Sequence, residues 1–345
     1  MERIRHRDGN RTQTFTYDEL NRIKSAQTPV WSQNPFEYDI WANLKKITAT
    51  GGAPGLDVGV DTKNRIIGFC YDLAGNLTYQ GSCPGSAYVY DAENRMTSTA
   101  GVNYTYDGDG RRVKKSNGTL YWYGVSGEVL LETDLAGNSP KEYIFFAGKR
   151  VARRDSSGTI HYFFEDHLAS TRVITNAAGA IVEESDFYPF GGERIVVDTF
   201  DNHYKFTGKE RDPESGLDYF GARYYASNLG RFTSPDPSER GSVLADPQTL
   251  NKYSYVSNNP LRFVDPNGLW RVPVDNPRDP VGGQKYGALR ETEDGGKYLH
   301  AGVDFPVKKG TAVKAAESGI VIQTGEDKKR GKFVVIDHGD GTTTH

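Results

Sequence analysis

The chain has 345 residues, with 42 basic and 45 acidic side chains and a formal net charge of -3. This balance leaves no electrostatic footprint for nucleic acid, so we expect no DNA or RNA partner. No segment reaches the roughly 18 apolar residues of a membrane span, and the polar N-terminus lacks the apolar core of a signal peptide. The 39 glycines and 21 tyrosines suit hairpins with aromatic faces, and long apolar runs of helical period are scarce. We therefore predict an all-β chain.

A short unit recurs along the first third of the chain. It consists of two aromatic residues two positions apart, an aspartate and a turn. The two-residue period of a strand places both aromatics on one face, and the aspartate can accept hydrogen bonds from turn amides. Each unit predicts a β-hairpin, and the repetition predicts hairpins that stack on their neighbours. The copies are Phe15–Asp18, Phe36–Asp39, Phe69–Asp72, Tyr88–Asp91 and Tyr104–Asp107.

With these repeats the chain resembles the RHS or tyrosine-aspartate (YD) repeat family, whose hairpins wind into a large β-sheet shell. The resemblance implies hairpin repeats over residues 1–190, an RHS repeat-associated core over 191–269 that closes the shell, and a variable C-terminal domain over 270–345. The segments that look like the associated core are Gly216–Tyr225, Gly230–Pro237, Asn251–Tyr255 and Asp265–Leu269.

Some members of this family cut their own chain after the final leucine of the core with an aspartyl pair. Two carboxylates can share a proton, so that one acts as base toward water and the other as acid toward the scissile carbonyl. The resemblance places cleavage after Leu269, and we select Asp236 and Asp246 as the catalytic pair, with Arg231 as a neighbouring charge. The family's short Gly-rich stretch after Asp-Pro is replaced here, which leaves the second aspartate open. The alternative is that Asp236, Asp246 and Asp265 cap turns before proline.

A possible metal site lies near the C-terminus, where His300 and Asp304 stand in His-Ala-Gly-Val-Asp. Imidazole and carboxylate ligands suit zinc, and a catalytic zinc site takes three protein ligands and a water. A third ligand must therefore come from elsewhere. The alternative is that the pair only hydrogen-bonds in a loop at a strand end. Strands are predicted at residues 319–324 and 333–336, with a hairpin tip at 327–331.

Residues 286–345 as a whole resemble a LytM/lysostaphin-type peptidase. The resemblance implies a small β-sheet zinc endopeptidase for peptidoglycan, in which His300 and Asp304 bind Zn²⁺. The family's third ligand and catalytic histidines lie in a Tyr-x-His block and a His-x-His block, and neither follows the last of the motifs seen here. We therefore expect zinc only if the site is completed beyond His345, and we assign His345 no catalytic role. The motifs are His300–Asp304, Gly310–Ala316, Gly319–Val321 and Val334–Gly341.

The remaining candidate residues favour plain structural roles. Cys70 and Cys83 either pair across a hairpin in an oxidising compartment or pack as small side chains. His161, His167 and His203 flank aromatic strands or lie in polar loops, so we predict that they are structural.

Three hypotheses follow. The first, which we favour, is a shell protein that carries a cell-wall zinc endopeptidase, secreted or at the cell surface in the intact protein. The second is a non-enzymatic surface module whose aromatic hairpins bind carbohydrate or a partner protein. The third is a self-cleaving aspartyl core whose only substrate is its own chain. Because Arg7–Arg11 itself looks like the tail of a repeat, we expect upstream shell and any targeting segment to be missing.

Overall fold

The chain folds into antiparallel β-sheets, which confirms the predicted all-β class. The computed structural model describes residues 2–3, 8–83, 85, 87–237, 247–269, 289–291, 297–299, 320–327, 331–337 and 343–344. The helical segments among these residues are short 3₁₀ turns at Gly9–Arg11, Phe206–Gly208, Pro247–Leu250 and Val256–Asn258. Within the same ranges, no helix has the length and apolar character needed to cross a bilayer.

The strands follow one another in chain order within each sheet. Strands β1–β6 form one sheet, β7–β8 a hairpin, β9–β20 a sheet of twelve strands, and β21–β24 a sheet of four. The described strands are β1 (Glu2–Arg3), β2 (Gln13–Tyr17), β3 (Ile23–Gln27), β4 (Ser32–Tyr38), β5 (Leu44–Thr50), β6 (Leu56–Asp57), β7 (Cys70–Tyr71), β8 (Leu77–Tyr79), β9 (Tyr88–Tyr90), β10 (Met96–Thr99), β11 (Val102–Tyr106), β12 (Arg112–Lys115), β13 (Thr119–Tyr123), β14 (Val129–Thr133), β15 (Lys141–Phe146), β16 (Lys149–Arg154), β17 (Ile160–Glu165), β18 (Thr171–Asn176), β19 (Ile181–Phe187), β20 (Glu193–Asp198), β21 (Glu210–Arg211), β22 (Asp218–Tyr219), β23 (Tyr224–Ala226), β24 (Arg231–Phe232), β25 (Leu289–Glu291), β26 (Lys297–Leu299), β27 (Ile320–Asp327), β28 (Gly331–Asp337) and β29 (Thr343–Thr344).

Each repeat turn is built around one aspartate. The Oδ1 atom of Asp18 accepts hydrogen bonds from the amides of Leu20 at 3.0 Å and Arg22 at 2.9 Å. Asn21 takes the left-handed conformation with a φ of 60°, and Asp18 Oδ2 lies 2.7 Å from the Arg22 guanidinium. The predicted turn chemistry is confirmed. The same ion pair recurs at Asp61–Arg65, Asp91–Arg95 and Asp107–Arg111.

Aromatic side chains tie each repeat to the one before it. The Arg22 guanidinium carbon lies 4.6 Å from the ring centroid of Tyr38, whose hydroxyl donates to the Ile23 carbonyl at 2.8 Å. The Tyr106 hydroxyl likewise donates to the Met96 carbonyl at 2.6 Å. Stacking of this kind lets each repeat bury its aromatic face against its neighbour.

We call the sheets of β1–β20 the wall and residues 199–269 the core segment. Ion pairs join the first sheet to the twelve-stranded sheet. Arg11, beside β2, lies 2.6 Å from both Glu184 and Asp186 of β19. The buried apolar clusters combine wall strands with core-segment residues such as Leu217 and Leu261. The wall's last strand ends at Asp198, past residue 190, and the domain boundaries stay predictions.

Three asparagines of the core segment bind the turns of the first repeats. Asn251 Nδ2 donates to the Asn43 side-chain oxygen at 2.8 Å, and Asn258 Nδ2 donates to the Ala42 carbonyl at 2.9 Å. Asn259 Nδ2 donates to the carbonyl of Asn21 at 2.7 Å. The core segment is thus fixed to the repeat turns as well as to the wall strands.

Buried ion pairs connect the large sheet to the core segment. The fully buried Arg112 of β12 places Nη1 at 2.6 Å from Asp212 and Nη2 at 2.7 Å from Glu210. Lys115 Nζ lies 3.1 Å from Asp212 and 2.8 Å from Glu214. Both cations belong to the wall and all three carboxylates to the core segment. Although burial opposes the charge of Arg112, Glu210 and Asp212 hold its pKa above the ordinary value.

A second polar contact joins β14 to the core segment. His203 Nε2 lies 2.8 Å from Glu132 Oε1, which also accepts a hydrogen bond from the Tyr204 hydroxyl at 2.6 Å. Burial opposes both charges, yet Glu132 raises the pKa of His203 and His203 lowers the pKa of Glu132 to about 2. His203 therefore has the structural role that we predicted.

Two further predictions concern the cysteines and the C-terminal strands. Cys70 and Cys83 form a disulfide with a Cα–Cα distance of 5.8 Å, which decides between the two alternatives.

Near the C-terminus, β27 and β28 pair as a hairpin in which Asp327 lies opposite Gly331. This confirms the predicted hairpin. The strand β27 ends three residues after the predicted 324, and β28 extends beyond the predicted 333–336 at both ends.

Candidate functional site at the end of the core segment

The described site is organised by Arg223, which lies just before β23. Its guanidinium Nη2 is 3.3 Å from Asp236 Oδ2 and 3.5 Å from Asp265 Oδ2. The guanidinium carbon lies 3.7 Å from the ring centroid of Phe232, and Nη1 donates to the Lys252 carbonyl at 3.0 Å. Burial lowers the pKa of Arg223, and the two carboxylates only partly offset this effect. One buried cation thus gathers two carboxylates.

Asp265 and Arg223 also fix the backbone at the end of the core segment. The fully buried Asp265 accepts hydrogen bonds at Oδ1 from the amides of Gly268 at 2.8 Å and Leu269 at 3.0 Å. Arg223 Nε donates to the Gly268 carbonyl. Gly268 has a φ of +79°, and a Cβ there would lie 3.0 Å from the Arg223 amide. The chain therefore reaches Leu269 in a held conformation that requires glycine at position 268.

Asp236 is the more accessible of the two carboxylates. Its side chain is 13% exposed, whereas that of Asp265 is 0% exposed. The Asp236 amide donates to the Lys252 carbonyl at 2.8 Å, which attaches this loop to the turn at Lys252 and Tyr253. Asp265 does cap a turn before proline, as the alternative interpretation of these aspartates supposed.

The predicted site residues divide between described and undescribed parts of the chain. Asp236 lies in the site, but Asp246, His300 and Asp304 lie outside the described residues. Arg231, expected as the neighbouring charge, instead donates to the Asn64 carbonyl. Its guanidinium carbon is 4.7 Å from the ring centroid of Tyr253. The choice of Asp236 and Asp246 as a catalytic pair stays a prediction.

Sequence reasoning missed Arg223 as the organising cation. Its only local signal is its place before two tyrosines in Gly-Ala-Arg-Tyr-Tyr, and those tyrosines predict a strand and not a site. Asp265 was noted, but only as a turn cap. The two residues are 42 positions apart in the sequence, so nothing local connects them.

The contacts around Arg223 hold the peptide between Gly268 and Leu269, one bond before the bond after Leu269 at which cleavage is predicted. Two carboxylates that share one cation lie beside a backbone segment whose carbonyl and amide are held at Gly268 and Leu269. The ranges that the structure describes contain no group of three histidine, cysteine, aspartate or glutamate side chains placed for one ion.

Models of two protein families match different parts of the chain. Residues 5–164 and 147–261 match the family model described as Teneurin YD-shell. Residues 298–345 match the model of peptidase family M23.

Three relatives match between 54% and 74% of the chain. The tRNA nuclease WapA of Bacillus subtilis (strain 168) is 28% identical over 277 residues, covering 74% of this chain and 12% of that protein. Toxin subunit YenC1 of Yersinia entomophaga is 32% identical over 224 residues, covering 54% and 22%. Teneurin-1 of Gallus gallus is 26% identical over 275 residues, covering 74% and 10%. The chain thus spans only about an eighth of the WapA length.

Solved structures show the same fold. The Photorhabdus luminescens Tc holotoxin pore matches with a TM-score of 0.61 at 21% identity, covering 77% of this chain and 16% of that chain. The TcdB2-TccC3 crystal structure matches with a TM-score of 0.59 at 21% identity, covering 75% and 16%. The family match extends over far more than half of the residues, so the chain belongs to the Teneurin YD-shell family, with a peptidase family M23 match after its core segment.

Proposed function

We propose that this chain is part of an RHS-type shell protein whose C-terminal domain is a zinc endopeptidase for cell-wall peptidoglycan, released outside the producing cell. The observation that carries the proposal is the order of the two family matches. The shell match ends at residue 261, the core segment ends at Leu269, and the peptidase match begins at residue 298. Relatives of the chain are named as a tRNA nuclease and as a toxin subunit, which supports a toxin-like role.

The donor set of the proposed peptidase suits zinc. His300 and Asp304 supply one imidazole and one carboxylate, the ligand types of catalytic zinc sites. When bound with a third ligand, zinc would polarise the scissile carbonyl and lower the pKa of a bound water. Three residues separate His300 from Asp304, and the middle one, Gly302, would let the backbone turn so that both side chains face one ion.

Zinc content and hydrolysis of purified peptidoglycan test this proposal. Residues 270–345 alone should neither retain stoichiometric zinc nor release peptides. A version extended through the Tyr-x-His and His-x-His blocks should do both and should lose both with His300→Ala. His338→Ala is the matched control and should keep the metal. Zinc retention by the His300→Ala variant would contradict the ligand assignment.

A second function is favoured by the geometry around Arg223. We propose that the core segment cleaves its own chain after Leu269, with Asp236 and Asp265 as the carboxylate pair. The supporting observation is that Arg223 pairs with both carboxylates beside the end of the core segment. Arg223 and Asp265 also hold the Gly268–Leu269 peptide, one bond before the proposed scissile bond. Asp246 stays an alternative partner outside the described residues.

Mass spectrometry of the expressed chain tests self-cleavage. Cleavage should release a fragment that begins at Trp270, and Asp236→Asn and Asp265→Asn should each abolish it. Asp246→Asn distinguishes the two candidate pairs, because it should leave cleavage intact if Asp265 is the partner. Loss of cleavage in Asp246→Asn alone would return the assignment to Asp236 and Asp246.

A further inference from the structure

A buried lysine of the core segment lies between two glutamates of the wall, and no step above uses this cluster. Lys205 Nζ is 2.9 Å from Glu183 Oε1 of β19 and 3.0 Å from Glu193 Oε1 of β20. The side chains of Lys205 and Glu193 are 11% exposed, and that of Glu183 is 2% exposed. Three ionisable groups are thus held together with little water to stabilise their charges.

Glu183 is poorly stabilised as an anion. Its Oε1 accepts hydrogen bonds from Lys205 and from Asn202 Nδ2, each at 2.9 Å. Its Oε2 is buried and has no hydrogen-bond partner within the described part of the chain. Burial raises the pKa of Glu183, and Lys205 and Asn202 only partly offset this effect. A neutral carboxyl group can be attacked at its carbon by an amine, whereas an ionised carboxylate resists that attack.

Glu193 is placed to take the proton that the lysine must lose. Burial opposes the charge of Lys205, but Glu193 and Glu183 raise its pKa, so its nitrogen needs a proton acceptor before it can act as a nucleophile. Glu193 Oε1 lies within hydrogen-bond distance of Nζ and also accepts a hydrogen bond from the Ser185 hydroxyl at 2.6 Å. The cluster therefore contains an amine, a carboxyl group and a base in contact.

Asn202 supplies the fourth part of the cluster. It is buried, and its Nδ2 donates to Glu183 Oε1, the oxygen on which negative charge would develop during attack at the carboxyl carbon. A fixed donor at such an oxygen stabilises the transition state. Glu183 Oε2, which has no partner to hold it, is then the oxygen that can leave.

Lys115 offers a comparison within the same interface. Its Nζ lies 3.1 Å from Asp212, but both oxygens of Asp212 also accept hydrogen bonds from the Arg112 guanidinium. An arginine bound in this way favours the ionised form of the carboxylate, which resists attack. Within the described residues no arginine donates to Glu183, so the contact of Lys205 differs from that of Lys115 in the feature that matters for reaction.

We propose that Lys205 and Glu183 condense to an isopeptide bond that joins the core segment covalently to β19. The bond between Nζ and the Glu183 carboxyl carbon forms, the bond from that carbon to Oε2 breaks, and one water molecule leaves. Two protons of the lysine ammonium pass through Glu193 to the departing oxygen, so Glu193 ends as it began and no other reactant is consumed. The inference depends on neither of the activities proposed above.

Mass spectrometry of the intact, reduced 345-residue chain tests the proposal. The folded chain should be lighter than its sequence by one water molecule. If the chain has cut itself after Leu269, the fragment 1–269 should show the same deficit, so the two proposals are measured separately. Trypsin should not cut after Lys205, because its ammonium group is consumed, and residues 195–209 should stay joined to residues 173–194. Fragment-ion spectra should place the bond at Glu183.

Three variants assign the roles. Lys205→Arg keeps a cation between the glutamates but should abolish the deficit, whereas Lys115→Arg is the matched control and should keep it. Refolding from urea of chain recovered from inclusion bodies starts the reaction. In that time course Glu193→Gln should form the bond at least about a hundredfold more slowly, as expected from loss of the base. Circular dichroism of each refolded variant checks its folding.

The peptide map of the folded parent chain decides the proposal even if a variant does not refold. A mass equal to that of the sequence, with normal tryptic cutting after Lys205, would overturn it. A water loss that maps to any other pair of residues would overturn it too. Bond formation at the parental rate in folded Glu193→Gln would contradict the proton path.

Discussion

The repeat turns and the interface between wall and core segment both depend on arginine–carboxylate pairs, but in opposite settings. The pair Asp107–Arg111 is local and has side-chain exposures of 27% and 38%, whereas Arg112 and Asp212 are both 0% exposed and 100 residues apart. Exposed pairs contribute little to stability, while removing one partner of a buried pair leaves an uncompensated charge. The turns therefore shape single hairpins, and the buried pairs couple the wall to the core segment.

The largest expected effect comes from breaking the buried side of this comparison. Arg112→Met should lower the free energy of unfolding by roughly 3–5 kcal/mol, because Glu210 and Asp212 would stay buried without their cation. The adjacent Arg111→Met removes an exposed pair and should cost no more than about 1 kcal/mol. Urea unfolding of both variants measures the difference. Similar losses of unfolding free energy in the two variants would show that the buried and the exposed ion pair contribute equally to stability.

The next effect concerns the turn aspartate itself. Asp91→Ala removes the acceptor of the Glu93 and Arg95 amides and the partner of the Arg95 guanidinium. We expect a loss of about 2 kcal/mol in the free energy of unfolding, because hydrogen bonds to charged groups are the stronger ones. Asp91→Asn keeps the amide acceptor and should lose less than half as much. Equal losses would show that the ion pair, and not the turn, carries the stability.

A smaller effect should follow from a single hydroxyl. Tyr106→Phe removes the hydrogen bond to the Met96 carbonyl and leaves that carbonyl without this donor. The expected loss is about 1 kcal/mol. Tyr162→Phe, at a residue that is 42% exposed, is the control and should be close to neutral. A larger loss in the control than in Tyr106→Phe would argue against the proposed link between repeats.

How much of this could be predicted from the sequence depends on the separation of the partners. A repeat turn such as Asp18–Arg22 contains its aspartate, its left-handed asparagine and its arginine within five residues. The turn could therefore be predicted from the local sequence. The turn at Asp61 was not predicted, because it has the Asp–Arg pair but lacks the two preceding aromatic residues of the repeat. The contacts between the wall and the core segment could not be predicted from the sequence. Nothing near Arg112 indicates that the carboxylates that pair with it lie about 100 residues away.

The candidate site divides in the same way. Asp236 and Leu269 were named from motifs, and both lie at the described site. Arg223 was not, because an arginine between a glycine-containing turn and two tyrosines has no distinguishing local pattern. Only the fold brings it to Asp236 and Asp265. The metal pair His300 and Asp304 stays a prediction from motif alone.

The smallest expected effect is the pH dependence of the contact between His203 and Glu132. The pKa of His203 is raised above 6.5 by Glu132 against the effect of burial, so its contribution is complete below pH 6.5 and is lost as the pH rises through the raised value. The pKa of Glu132 is lowered from 4.5 to about 2, so its contribution is lost as the pH falls from 4.5 toward 2. His203→Gln should flatten the stability profile above pH 6.5. An unchanged profile in His203→Gln would contradict the assigned contact.

Hydrogen exchange tests most directly whether the wall and the core segment are one cooperative structure. The amides that cross between them include Leu77, bonded to the Thr233 carbonyl, and Thr171, bonded to the Lys205 carbonyl. We predict that these amides and those of β11–β13 exchange with the same opening free energy, and that Arg112→Met lowers all of them together. Exchange of the crossing amides at a clearly lower free energy than the wall strands, unaffected by Arg112→Met, would contradict the account.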